Sequence, residues 1–419
     1  MSSSFEAASP RLSYAELLDA VQRRTFRYFW DFADPGSGMA RDRFGGNDDW
    51  LVSGGSGMGA MAIVVAAHRG WIGREAAVER LHLMLGFLER ADSYHGAFAH
   101  VLSPEGRTIR FGRKDDGADI VETALLMQGL IAARQYFAGK ENKEPWLRGR
   151  IDALLEAVEW NWFTQGGREA LYWHWSPNNG FALNHEILGW NECLIALVLA
   201  AGAQRNAIAP AVYHNGFTQS RTFLNRRRHE DIVLPLGPDG GGPLFFAHYS
   251  FLGLDPRGLV DCYADYWQQN VAHVRINQAY CVRNPNNFAG YGPRCWGLTA
   301  SDSHGGYAAH APDNDLGVIA PTAALSSLPY AADLVMPALR HFHDDLGDRI
   351  WRDYGFVDAF NQSVGWYAKT HLAIDQGPII VMIENHRSGL LWDLVMQHPV
   401  IRRGLARLGF TSPHLAAAL

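Results

Sequence analysis

Three stretches of the chain place carboxylates among apolar side chains, and two carboxyls facing one bond are the minimum equipment for acid–base hydrolysis. In KDDGADIVETALLMQGL, Asp115, Asp119 and Glu122 stand at i, i+4 and i+7. On a helix these three fall within about 60° of one another, crowding one face with like charge. The D-x-x-E spacing of Asp119 and Glu122 is also what an N-cap and its N3 acid produce, so spacing alone leaves both readings open. The face continues into Leu126 and Gly129, which aims the acids at a core or a cavity. In NHEILGWNECLIALVLAAG, Glu192 is in register with Leu188, Ile195 and Leu199 on a predicted helix with almost no polar side. Such an acid must be paired, protonated or catalytic, and a neighbouring Arg or His would make it structural. Asp375, in HLAIDQGPIIVMIEN, precedes Gly377 and Pro378 at the mouth of another apolar helix, where a turn or N-cap acid is the alternative.

The ligand suggested by the rest of the composition is polyhydroxylated. The chain has 14 Trp, 15 Tyr and 21 Phe, clustered in polar segments such as LYWHWSPNNG (Tyr172, Trp173, Trp175) and GYGPRCWGL (Tyr291, Trp296). Sugar rings stack on such faces, although any single Trp is as readily a core residue. Other templates fail. GGSGMG, Gly54 to Gly59, lacks the Lys of a P-loop and is neither GxGxxG nor GxSxG, which leaves a glycine-rich entry to a closely packed helix. His341 and His343 point about 200° apart on a helix, and Asp313 and Asp315 lack the remaining ligands of a calcium loop. No metal or cofactor is expected.

The elements that must position these groups are helices. Apolar spacing of three and four recurs, and strict alternation is rare. The pattern predicts helices over 14–32, 57–69, 75–91, 118–138, 144–161, 184–203, 209–224, 258–280, 321–329, 332–346, 375–385 and 388–408. Twelve helices without a Pro/Gly/Ser linker suggest six antiparallel pairs closed into one toroid, its apolar inner helices ringed by an outer set. The stretch Cys281 to Gly317 is too long for a connector and too aromatic for disorder.

A net charge of −6 over 419 residues, with 37 Lys plus Arg against 43 Asp plus Glu, argues against a nucleic-acid binder. The longest apolar runs, about ten residues, are too short to cross a bilayer. The four cysteines, Cys193, Cys262, Cys281 and Cys295, have neither zinc nor disulfide-framework spacing and read as free thiols. MSSSFEAASPRLS is not a secretory leader, so a cytoplasmic location is expected for the chain as sequenced, or a periplasmic one had a leader been trimmed.

Taken together, DIVETALLMQGLIAARQYF, GWNECL, HYSFLGLDPR, WGLTASDSHGGYAAHAPDND, PTAALSSLPY, ALRHFHDDLGDRIW, YGFVDAFN and LAIDQGPIIVMIENHRSGLLW resemble the glucoamylase-like family that contains the bacterial β-1,2-glucanases. The resemblance covers roughly Leu12 to Gly404. It implies an all-α (α/α)6 barrel with long irregular loops over a cleft, and hydrolysis of β-1,2-glucan to sophorose or short oligosaccharides. Domain limits follow: a tail over 1–11, one catalytic domain over 12–408 and a tail over 409–419.

By the same resemblance Glu192, in the (W/Y)NE motif, is the general acid and Asp375, in AIDQGP, the general base of an inverting reaction. Asp115, Asp119 and Glu122 line the central subsites. Trp190 supplies an aromatic wall where Tyr is frequent. His248, Tyr249, Trp296 and Asp302 bind substrate, together with Tyr367 between the last two runs. The chemistry requires the two acids to titrate apart, with Glu192 kept protonated by its apolar face and Asp375 ionised at a helix mouth rich in backbone N–H. The resemblance also spans a transglycosylase or another β-glucan specificity, and a non-catalytic glucan-binding protein would keep the cleft without turnover. The oligomeric state is not legible from the sequence.

Overall fold

A computed structural model of the protein describes residues 11–140 and 143–416. Helices run in chain order as α1 (Tyr14–Trp30), α2 (Ser53–His68), α3 (Arg74–Leu88), α4 (Ile120–Tyr136), α5 (Glu144–Ala157), α6 (Leu194–Gly202) and α7 (Tyr266–Arg283). There follow α8 (Pro321–Leu325), α9 (Ala332–Arg340), α10 (Gly347–Ile350), α11 (Ala373–Ser388), α12 (Leu390–Met396), α13 (Pro399–Arg407) and α14 (Pro413–Ala416). Burial sorts them into two rings. All of α6 and α8 and nearly all of α2, α4 and α11 are inaccessible, as helices covered on every side must be. By contrast α1, α3, α5 and α9 bury one stripe. Outer and inner segments alternate along the chain, with α2 packed on α4 and α11, α4 on α6, and α11 on α8. The architecture is the expected (α/α)6 barrel.

The fourth pair departs from the expected twelve helices. Residues 209–224 form only a π turn (Val212–Gly216) and a 3-10 turn (Phe217–Gln219), and their inner partners are the 3-10 turns Leu244–Ala247 and Ser250–Leu252. Apolar spacing survives there, but Pro210, Gly216, the run Gly240 to Gly242 and Pro243 deny it a continuous backbone ladder. Among the described residues strand pairing is confined to two-residue ladders and one longer hairpin, Leu224–His229 with Ile232–Leu236. At the chain's end, Phe410 is buried, Thr411 exchanges backbone hydrogen bonds with Val260, and His414 lies 2.9 Å from Asp255. Among the described residues no helix is long and apolar enough to cross a membrane.

The GGSGMG run is the first turn and a half of α2, and its glycines bring two inner helices into backbone contact. A Cβ at Gly129 would collide with the Gly57 carbonyl, and one at Gly57 with the Leu125 carbonyl. Gly129→Ala is therefore expected to cost about 1–3 kcal/mol, as overpacking does. Gly149→Ala on α5, where the added methyl meets open space, should stabilise by about 0.5–1 kcal/mol. Denaturant unfolding of the two variants gives shifts of opposite sign; equal shifts would refute the close-approach argument.

Candidate active site

A cavity of about 470 Å³ opens at the barrel end where inner helices begin. It is lined by Asp42, Arg43, His100, Phe111, Glu122 and Tyr307, among others. Asp119 caps α4: its Oδ1 accepts from the N–H groups of Val121 (3.0 Å) and Glu122 (2.9 Å). Its Oδ2 accepts from Trp173 Nε1 at 3.2 Å and lies 3.6 Å from both His100 Nδ1 and His174 Nε2. The capping and site readings of this acid are thus both realised. A short ladder explains the placement, for Asp119 is paired with His174 across antiparallel strands and their side chains share a face. Asp115 stands beyond it, 3.7 Å from His174 Nε2. Glu122 accepts the Gly54 N–H at 2.8 Å, an approach that a Cβ on Gly54 would block.

His100 joins the acids. Its Nδ1 is 3.6 Å from Asp119 and 3.8 Å from Glu122, and its ring stacks on Phe111 at 4.0 Å. Burial opposes charging of the imidazole, but Glu122 and Asp119 outweigh it and raise His100 to about 9. Conversely, Asp119, despite burial, is held below the usual carboxylate range by His100 and His174. Burial leaves Glu122 and Asp115 raised.

Glu192 precedes α6 and does not lie on the face of a helix. The expected helix over 184–203 starts only at Leu194, because Asn184 (φ 50°) and Gly189 (φ 79°) adopt left-handed conformations. Between them Ile187 N–H is taken by the Leu171 carbonyl at 2.8 Å. An Asx turn, in which Asn191 Oδ1 accepts from Cys193 N–H at 3.0 Å, then aims Glu192. Ser250 locks the turn, donating to the Glu192 carbonyl while accepting the Ile195 N–H. The half-buried Glu192 carboxyl is pushed up to about 7 by desolvation, with Glu122 and Asp119 adding repulsion.

Asp375 sits in the first turn of α11, 2% exposed, and Thr322 donates to its carbonyl at 2.8 Å. The helix mouth was expected to keep it a lone ionised carboxylate, but it has a carboxyl neighbour. Burial raises its carboxyl well above the ordinary range, and Asp358, within hydrogen-bonding reach, raises it further. Asp302 completes this side: it pairs with Arg43 at 2.8 Å, accepts from Thr370 at 2.6 Å, and its N–H donates to Asp358 at 2.6 Å. Tyr249, stacked on Phe245 at 5.0 Å, lies in the field of Asp375, Glu192 and Glu122.

Four expected contacts fall elsewhere. Trp190 is buried among Phe223, Phe251 and Tyr266 and is no cleft wall. Trp296 is likewise fully buried. His248 is sealed against Ser327 at 3.0 Å, and desolvation lowers it to about 3. Tyr367 accepts from Arg349 at 2.6 Å in a neighbouring groove with Phe44, Lys369 and His371. In the ladder Arg43↔Leu372 and Phe44↔His371, the first pair faces the cavity and the second the groove. For the two tryptophans and His248, aromatic or imidazole character was a signal that core packing shares.

The residues that sequence reading missed are His100, Asp358, Arg43, Asp42, Phe111 and Tyr307. A signal existed for two of them: His100 in AFAHVL and Asp358 in GFVDAF are lone ionisable groups in apolar runs, the same pattern that drew attention to Glu192. Asp315, which the sequence matched only weakly to a calcium loop, accepts from Tyr280 and Tyr291. Among the described residues no cluster of His, Cys, Asp and Glu is arranged to hold a metal.

Comparison with known proteins gives a consistent picture. The family model "Glycoamylase: Putative glucoamylase" matches residues 184–399. An exo β-1,2-glucooligosaccharide sophorohydrolase (non-reducing end) of Parabacteroides distasonis is 42% identical over 415 residues. The match takes in 94% of this chain and 58% of that protein, so the chain spans little more than half the length of its curated relative. The endo-β-1,2-glucanase of Chitinophaga pinensis, solved with sophorotriose and glucose, is 49% identical with a TM-score of 0.94, covering 97% of this chain and 100% of that one. An endo-β-1,2-glucanase of Talaromyces funiculosus, 11% identical over 97% of this chain and 92% of its own with a TM-score of 0.64, shares the fold alone.

Proposed function

The chain belongs to the glucoamylase-like family, and from that premise we propose that it is a glycoside hydrolase that cleaves β-1,2-linked glucan by inversion. The observation that carries this reading is Glu192, held up to about 7 by desolvation and so able to carry a proton near neutrality, in the field of Asp119 and of Glu122, which lines the cavity. Glu192 donates that proton toward the leaving oxygen as the glycosidic bond breaks. Asp375 accepts a proton from the attacking water. The chain of close contacts from Glu122 through His100, Asp119 and His174 to Asp115 fixes the sugar-facing acids in place. Phe111 and Tyr307, half exposed at the cavity, offer faces for the pyranose rings.

Two relatives support the choice of linkage: the Chitinophaga protein is an endo-β-1,2-glucanase and the Parabacteroides protein a β-1,2-glucooligosaccharide sophorohydrolase. Incubation with linear β-1,2-glucan followed by chromatography should release sophorose or short oligosaccharides, with β-1,3-, β-1,4- and α-1,4-glucans left intact. No product from any of these substrates would favour a glucan-binding protein. Because acid–base chemistry on a sugar needs no Lewis acid, activity should survive EDTA. Loss on chelation with recovery on added calcium would contradict the two-carboxyl mechanism.

A further inference from the structure

Asp358 is an acid that this mechanism does not yet use. It is 1% exposed, and only Asp302 N–H, at Oδ2, satisfies its carboxylate. Its Oδ1 and Asp375 Oδ2 are both buried and have no hydrogen-bond partner among the described residues. Yet the two side chains lie within hydrogen-bonding reach of each other. Two ionised carboxylates cannot sit so in a buried site, because neither can donate and their charges repel. A single proton between the orphan oxygens resolves both difficulties.

We propose that Asp358 is a positioning residue of the reaction, sharing one proton with Asp375 between these two oxygens, so that the base is the pair and not Asp375 alone. This rests on the reading of Asp375 as the base. With the proton on Asp358, its O–H donates to Asp375 Oδ2 and the negative charge lies on Asp375, oriented toward the cleft. As water attacks the anomeric carbon, its O–H bond breaks and that proton moves to Asp375. The glycosidic C–O bond breaks and the leaving oxygen takes the Glu192 proton. The pair then holds two protons and Glu192 none, and exchange with solvent returns one proton from the pair to Glu192.

The surroundings favour a singly charged pair. Arg43, ion-paired with Asp302 and Asp42, is a cation facing it; Asp302 and Asp42 add negative charge, and Tyr307, Tyr249 and Tyr28 are neutral neighbours. Burial, which comes first, and the charge of Asp302 raise Asp358 to about 7 against the lowering by Asp375, the Asp302 N–H and Arg43.

Asp358→Asn and Asp358→Ala separate this role from a merely structural one. The amide of Asp358→Asn can still donate to Asp375 Oδ2 but brings no titrating proton, so in the infrared difference between the unaltered protein and this variant at neutral pH the carboxyl band of the shared proton is lost while that of Glu192 cancels. That readout needs no substrate, so it fails or holds separately from the assigned activity. In kcat/KM against pH, Asp358→Asn keeps its acid limb within about half a unit, whereas Asp358→Ala, which strips the donor, moves it toward alkaline pH by about one unit or more. Where Asp358→Ala does not fold, the infrared comparison of Asp358→Asn decides. An unchanged band in Asp358→Asn, or an unmoved limb in a folded Asp358→Ala, overturns the proposal.

Discussion

Glu192→Gln should lower kcat on β-1,2-glucan by about a hundredfold or more, the scale of a general acid's contribution, while KM changes little. The amide keeps the shape of the side chain and the turn set by Asn191 and Ser250, whose bonds run to backbone groups and not to the carboxyl. What it removes is the transferable proton. The sign of the pH dependence follows from the same group. Glu192 must be protonated to act, and desolvation raises it to about 7, so activity of the unaltered protein falls as pH rises through that value. The base must be ionised, so the acid limb falls as the Asp358–Asp375 pair takes up its second proton. In Glu192→Gln the alkaline limb should vanish from the residual rate. Near-normal turnover in this variant would transfer the acid's role to Glu122 or Asp119, which share the centre.

How far the sequence discloses this site depends on which force places each group. Periodicity located α1, α4, α5 and α11 to within a few residues, because each is long and its burial pattern is set by the barrel wall. It overran at 184–203 and 209–224, where apolar spacing continues but Asn184, Gly189, Pro210 and Gly216 commit the backbone to turns. The acids were legible because an ionisable group in an apolar run is costly wherever it folds. What it faces was not legible: Asp358 and Asp375, 17 positions apart in the chain, meet only through the tertiary fold. That meeting joins Asp375 to a second carboxyl where a lone ionised acid was expected. Trp190 and Trp296 misled for the opposite reason, since nothing local distinguishes a ring that stacks on sugar from one that fills a core.

Asp375→Asn should also cost about a hundredfold or more in kcat, but with a different signature. The amide can donate to Asp358 Oδ1 and keep the buried contact, so the fold and the Arg43–Asp302 pair survive. The variant lacks an oxygen able to take the water's proton, and the loss should persist at every pH. Substrate binding should be kept, which calorimetry with a β-1,2-glucooligosaccharide would show. By comparison Asp115→Asn, at the outer end of the acid chain beside His174, should act mainly on KM. The stereochemistry of the unaltered enzyme completes the test. Water delivered from the face opposite the leaving group yields the α-anomer first, whereas direct attack by the carboxylate, through a covalent intermediate, yields the β-anomer. Proton NMR in the first minutes of reaction, before mutarotation, distinguishes them. A first-formed β-anomer would make the second carboxyl a nucleophile, and a buried group that shares its proton with Asp358 would then be the wrong candidate.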